Sequence, residues 1–256
     1  MQVELICANC FDPTHGLVAH GPVDHVIADP AYSEKVHRRH RTARKGAGGP
    51  TAKQALGFEP LTAEVRLQAA EAIAAVVRRW VIVFSDLEGA GAWCEDFANA
   101  GLEPVQVGIW DKVDATPQLR GDRPACPAEA LVVAHATRRG RPMRKRWNGG
   151  GRALRYRGPS KERGIKRVHP TQKPLWLMET LLRDFTDPGE VTADPFAGVG
   201  TTLVAAKRLS RGARGWEQTE NWAALGQQRI AAACPQFELP GLAVAGRARQ
   251  LPLEDT

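Results

Sequence analysis

The chain has 256 residues, 43% of them hydrophobic, seven Trp and a formal net charge of +7, which suits one large α/β domain with an inserted segment and excludes general disorder. No apolar run approaches the roughly 18 residues that cross a bilayer, and the start, M-Q-V-E-L-I-C-A, lacks the basic residues and cleavage site of a signal peptide. Five Cys are odd in number and too sparse for a disulfide framework, so a cytoplasmic protein is expected.

The charge is unevenly spread. Residues 136–168 hold thirteen Lys/Arg against the single acid Glu162, and residues 34–45 hold six against Glu34. The rest of the chain carries 16 basic and 26 acidic residues. An acidic body bearing two basic segments suggests a track for a polyanion.

In chain order, Val3–Cys7 is a short strand. Cys7 and Cys10 form a lone C-x-x-C, and His37 and His40 a lone H-x-x-H; neither has a second pair at zinc spacing, so no metal is expected. A buried strand, Val23 to Ala28, ends in Asp29, Pro30, Ala31 and Tyr32. The basic, Gly-rich run that follows has no apolar periodicity and reads as a mobile loop beside a functional strand end, a lid or substrate clamp. Apolar residues at helical spacing predict a helix over Leu61 to Arg79. Trp80 to Phe84 is a buried strand, Ala90 to Ala100 a helix, and Val105 to Trp110 and Ala130 to Ala134 two more strands.

Residues 137–168 are rich in Arg and Gly and interleaved with Trp147 and Tyr156. Basic and aromatic side chains together suit phosphate and base contacts. H-P-T-Q-K-P (His169 to Pro174) opens a helix over Leu175 to Phe185, and Val191 begins V-T-A-D-P-F-A-G-V-G-T-T, a strand ending in Asp194, then a tight turn and a helix to Ser210. Arg214 to Gln218 is a strand carrying Glu217 near its end, and Asn221 to Ala233 a helix. A glycine-rich turn followed by a strand-end acid about 20 residues on is how α/β folds hold an adenosine ribose. The phosphate-cradle pattern G-x-x-x-x-G-K-[ST] is absent, which disfavours ATP hydrolysis.

D-P-A-Y, then H-P-T-Q-K-P, D-P-F-A-G-V-G-T-T and G-W-E-Q, in this order, resemble the β-class (permuted) amino-group DNA methyltransferases, over about Val3 to Ile230. The resemblance implies a Rossmann-like fold: a mixed, mostly parallel sheet with helices on both faces. Residues 1–136 would form the catalytic half, 137–168 a target-recognition insert, 169–233 the cofactor half and 234–256 a tail. It implies S-adenosylmethionine as methyl donor and duplex DNA as partner. It also admits a homodimer and a separate restriction endonuclease, which no residue pattern decides.

By the same resemblance, the Asp29 carboxylate and Pro30 carbonyl would accept hydrogen bonds from the amine of a flipped base, and Tyr32 would stack on that base. Asp29, Asp194, Phe196, Gly198, Gly200 and Thr201 would surround the cofactor; Glu217 would take its ribose hydroxyls and Trp216 would lie against its adenine. Thr171, Gln172 and Lys173 would meet its carboxylate end. Asn9 stands where the family usually has an Asp, and Ala31 where it usually has a second Pro. An acid in the first motif position points to adenine N6 rather than cytosine N4. Expected DNA contacts are Arg38, Arg39, Arg41 and Arg44 in the first basic run, and Arg138, Arg139, Arg141, Arg144, Lys145, Arg146 and Trp147 in the second. A cytosine-N4 DNA methyltransferase, an RNA methyltransferase and a non-catalytic DNA-binding protein are the alternatives.

Overall fold

The computed structural model describes residues 1–31, 61–115, 124–138, 140–143, 146–162, 164, 167–169 and 171–235. Tyr32, Arg38, Arg39, Arg41, Arg44, Arg139, Arg144 and Lys145, the loop read as a lid and nearly all of the tail lie outside them.

Ten strands and five helices alternate along the described chain. They are β1 (Val3–Cys7), β2 (His25–Ala28), α1 (Ala63–Val76), β3 (Trp80–Ser85), α2 (Ala90–Asn99), β4 (Glu103–Lys112) and β5 (Ala128–His135). Two short strands, β6 (Thr137–Arg138) and β7 (Arg141–Pro142), precede β8 (Arg155–Gly158), α3 (Leu175–Phe185) and β9 (Val191–Asp194). Last come α4 (Thr201–Arg208), β10 (Gly212–Glu217) and α5 (Glu220–Ala232).

Eight strands form one sheet in the order β1-β10-β9-β2-β3-β5-β4-β8. Every pairing is parallel except those of β5, which runs antiparallel to β3 and β4. This is the mixed, mostly parallel sheet that the sequence leads one to expect. Both faces are covered, which is why its central strands read as continuous apolar runs. Along β3, Trp80, Ile82 and Phe84 enter one core with Leu177, Leu181 and Phe185 of α3. Val81 and Val83 enter the other with Ile73 of α1 and Trp93 and Phe97 of α2.

The observed elements follow the expected ones within a few residues, with one exception. The stretch 137–168 is not a separate insert throughout, because β8 joins the sheet by parallel pairing to the end of β4 (Ile109↔Arg155 to Lys112↔Gly158). Its outward Arg155 and Arg157 pair with Asp111, and its inward Tyr156 is buried. Alternation over four residues was hidden by the surrounding arginines.

Candidate active site

The cleft lies at the carboxyl ends of the parallel strands, at the point where strand order reverses. From β9 the chain crosses through α4 to β10 on one side. From β2 it crosses through α1 to β3 on the other. Because β2 and β9 are direct neighbours (Val26↔Ala193), their ends, Asp29 and Asp194, stand side by side where the two crossovers part. A cavity of about 480 Å³ opens there, within the usual range for small-molecule sites. It is lined by Asn9, Asp29, Pro30, Thr171, Gln172, Lys173, Asp194, Phe196, Gly198, Thr201, Trp216 and Glu217. Residues 165 positions apart in the chain are thereby brought to one rim.

The turn after β9 is built by Asp194. Its Oδ1 accepts the Phe196 N–H at 3.1 Å and its Oδ2 the Thr202 hydroxyl at 2.6 Å. Gly198 and Gly200 have φ of +53° and +70°, so each lacks a side chain for a conformational reason. A Cβ on Gly200 would also meet Ile230 Cδ1 at 3.2 Å. The result is a close-fitting loop that delivers the N-terminus of α4 to the cavity. Glu217 Oε1 accepts the Thr219 N–H at 2.7 Å, which orients the strand-end acid.

Burial pushes the Asp194 carboxyl up to about 7, against the pull of the Thr202 and Phe196 hydrogen bonds, while the Asp29 and Glu217 carboxylates add to the rise. From about pH 4 to 7 the folded chain keeps a proton that the unfolded chain has released, so this group's stabilisation is complete at lower pH and fades as pH rises, by up to about 1.4 kcal/mol per unit. Asp194→Asn is expected to flatten that slope in cofactor-free protein. Urea unfolding at several pH values checks it; equal slopes in variant and parent would assign the effect elsewhere.

Other expected site residues are placed as follows. Asn9 lines the cavity, with Oδ1 taking the Phe11 N–H at 2.9 Å. Trp216 is buried, its Nε1–H donating to His15 O at 2.8 Å and its ring edge-on to His20, so it forms the cavity wall rather than a free-standing platform. Thr171 contacts the His169 ring at 3.1 Å, and buried Gln172 accepts the Val168 N–H at 3.1 Å. Lys173 does something unexpected: its Nζ sits 2.5 Å from Asp29 Oδ1 and 3.2 Å from Glu129 Oε2.

Phe11, Leu61, Val65, His169, Met178 and Trp222 also line the cavity and were not singled out in the sequence. His169 meets Trp222 edge to face at 4.6 Å, and burial lowers its pKa. Glu129 was missed too, although an acid opening the apolar run A-E-A-L-V-V-A-H was a usable signal. Cys10 is buried, and burial pushes its thiol up to about 12. Among the described residues no group of three or more His, Cys, Asp or Glu could hold a metal ion. Nor is any described helix long and apolar enough to cross a membrane.

Of the expected DNA contacts among the described residues, Arg138 and Arg141 are not brought to this rim. Since β5 runs antiparallel, its end, His135, lies opposite the first residues of β3 and β4, Trp80 and Glu103. The β6–β7 hairpin that follows, with exposed Arg138 and Arg141, therefore sits at the far end of the sheet, roughly 20 Å from the rim by the rise along a strand. Arg146 is exposed nearby in the chain, while Trp147 is half-buried, tilted against Phe185 at 6.2 Å with the Arg152 guanidinium over its ring. Asn148 caps the end of α3, donating to Arg183 O and Thr186 O. Only with Gly158 does the chain return to the rim, where Ser160 and Lys161 bind Asp114 and Glu162 caps α3 through the Leu175 and Trp176 N–H groups.

Sheet order and the cleft at the switch point are those of a Rossmann-like fold, with β5 antiparallel. Residues 109–228 match the N6_N4_Mtase family model, described as DNA methylase. The chain is 46% identical over 66 residues to the putative methylase YubD of Escherichia coli (strain K12), covering 26% of this chain and 29% of YubD. It is 41% identical over 64 residues to the type II methyltransferase M2.DpnII of Streptococcus pneumoniae, covering 25% and 24%. The matches thus span under a third of the length of these curated relatives. Among solved structures, the M1.HpyAVI–SAM complex superposes with a TM-score of 0.66 at 21% identity, covering 90% of this chain and all of that one. The cytosine-N4-specific PvuII DNA methyltransferase does so with a TM-score of 0.67 at 13% identity, covering 95% and 89%. At such identities the structures speak for the fold. The resemblance to the amino-group DNA methyltransferases is carried by the family model and the methylase relatives.

Proposed function

We propose that this chain is an S-adenosylmethionine-dependent DNA methyltransferase that modifies the N6 amine of a flipped adenine in duplex DNA. The observation that carries the reading is that Asp29–Pro30 and the Asp194–Val199 turn share one cavity, though Asp29 and Asp194 lie 165 positions apart in the chain.

The residues present fit the cofactor. The turn after β9 lines the cavity through Phe196, Ala197, Gly198 and Val199, Glu217 is an acid at a strand end with hydroxyl-binding capacity, and the volume suits a nucleoside-sized molecule. When bound, the cofactor supplies an electrophilic methyl group on a sulfonium. The chain's own part is to bind and orient. Asp29 and the Pro30 carbonyl are acceptors for the two amine hydrogens, which turns the nitrogen lone pair toward its target, and the apolar wall excludes water. Tyr32, directly after this motif, is assigned the stacking role by the resemblance.

Adenine is favoured because the first motif position is Asp29. Cytosine N4 is the second reading, suggested by the superposition on the PvuII enzyme. Transfer of label from S-adenosylmethionine to mixed-sequence duplex DNA, followed by nucleoside analysis, decides. N6-methyladenine supports the reading, methylcytosine overturns the base, and label only on RNA overturns the substrate. A homodimer and a separate restriction endonuclease belong to this reading through the resemblance alone.

For DNA contact, the part of the basic stretch that returns to the rim is the better placed. Lys161→Ala with Arg167→Ala is expected to weaken duplex binding and lower its salt slope by about 2. Arg138→Ala with Arg141→Ala is expected to change both less. Fluorescence anisotropy across a salt series checks this; the reverse ranking would move the DNA track to the far end of the sheet.

A further inference from the structure

Four charged side chains from four separate elements form a line along the rim, with signs alternating. Lys112, at the end of β4, pairs with Glu129 Oε1 at the start of β5 and lies over the Trp110 ring at 4.7 Å. Glu129 Oε2 meets Lys173 Nζ at 3.2 Å, and Lys173 Nζ meets Asp29 Oδ1 at 2.5 Å. Lys173 is only 6% exposed, and its ammonium also lies 4.8 Å over the Phe84 ring. A buried lysine keeps its proton only when anions face it. Here one anion is the motif carboxylate and the other is Glu129, which does not line the cavity.

We propose that Lys173, tethered from behind by Glu129, is a positioning residue for methyl transfer: it holds Asp29 by Oδ1 as a charged carboxylate and leaves Oδ2 as the acceptor for the substrate amine. This rests on the catalytic reading of Asp29 given above. It differs from the cofactor-carboxylate role that the resemblance assigns to Lys173. A lysine needed only for a mobile ligand has no use for a second buried carboxylate behind it. Glu129 makes sense as a tether that fixes the ammonium in both the empty and the loaded cleft.

The charge state of Asp29 is the sensitive point. On balance its carboxyl is pushed up, by burial above all and by Glu129, while the Lys173 ammonium pulls it down and Lys112 does so from further away. Asp194, at the end of the neighbouring β9, is a further carboxyl close enough to be felt. Among the described residues, with Lys173 neutralised, the more distant Lys112 is left to oppose burial and the two other acids. Asp29 is then expected to hold its proton at higher pH, and a protonated acid is the weaker acceptor.

The test compares the parent with Lys173→Met, Lys173→Gln and Lys173→Arg. Three quantities are read: the Asp29 carboxyl titration by ¹³C NMR, assigned against Asp29→Asn; the pH profile of methyl transfer; and the S-adenosylmethionine Kd by calorimetry. Thermal melting confirms folding, and Lys173→Gln stands in if Lys173→Met does not fold. The neutral variants are expected to titrate Asp29 at higher pH and to lose about tenfold or more in rate at neutral pH. The acid limb of the profile moves up with the titration, Kd changes less than about threefold, and Lys173→Arg restores the parental limb. An Asp29 titration indifferent to residue 173, or an Asp29 protonated at neutral pH in the parent, overturns the proposal. So does a Kd weakened tenfold with the acid limb unmoved, which would make Lys173 a cofactor contact. If the parent transfers no methyl group to DNA, the reading under Proposed function fails, while the carboxyl titrations still decide the present inference.

Discussion

Asp29→Ala is expected to lower methyl transfer by on the order of 10²–10³-fold while leaving S-adenosylmethionine binding nearly intact. The magnitude is that of losing one preorganised hydrogen-bond partner in a site shielded from water. The separation of effects follows from the architecture. Asp29 ends β2, whereas the turn that fits the cofactor follows β9, so removing one carboxylate leaves Gly198, Gly200 and Glu217 in place. Asp29→Asn retains an acceptor oxygen but not the charge and is expected to fall between the two. Single-turnover transfer with calorimetry of the cofactor checks both. A large loss of cofactor affinity in Asp29→Ala would mean that the carboxylate serves binding rather than chemistry.

Asp184→Ala is expected to destabilise the fold by about 2–4 kcal/mol, roughly 5–15 °C in Tm for a chain of this size. Asp184, on α3, is the hub that ties the segment before β8 to the sheet. Its Oδ2 accepts the buried Tyr156 hydroxyl at 2.9 Å, its Oδ1 the Arg152 guanidinium at 2.6 Å, and its backbone carbonyl the Asn148 N–H at 2.7 Å. Burial pushes the Tyr156 phenol up, and the adjacent carboxylate adds to this, so it stays a donor. Truncating Asp184 leaves that hydroxyl without its acceptor inside the core, which is the costly half of the loss. Arg152 is 44% exposed and can return to solvent, so Arg152→Ala is expected to cost about 1 kcal/mol or less. Thermal or urea unfolding of the two variants checks the ranking. Equal losses would show that the ion pair, not the phenol, dominates.

The two outcomes bear on how DNA would be met under the proposed function. If β8 and the segment before it are as firmly stapled as these bonds indicate, much of the basic stretch is scaffold. Arg152, Arg155 and Arg157 are then occupied by Asp184 and Asp111. The positive charge left for phosphates is concentrated elsewhere, and Lys161 and Arg167 stand on the rim that holds Asp29.

The elements and their chemistry were legible because they rest on neighbours in the chain. The apolar runs of β3 and β5, the helical spacing of α3 and the paired glycines after Asp194 encode local conformation through side-chain periodicity and backbone sterics. Asp29, Asp194 and Glu217 were readable as strand-end acids for the same reason. Strand order was not readable from any of them. The motifs put Asp29 and Asp194 at one site, but that β2 lies directly beside β9 depends on which apolar faces pack together across more than 160 residues. The same long-range packing turned β5 around, carried Arg138 and Arg141 to the end of the sheet away from the cleft, and drew Arg155–Gly158 in as an edge strand. It also set Glu129 behind Lys173. Local sequence dictates what a segment can be, because its own side chains fix its dihedral angles and buried face. Which segments become neighbours is settled only when those faces are buried together, and the charges that meet across them are a consequence of that burial.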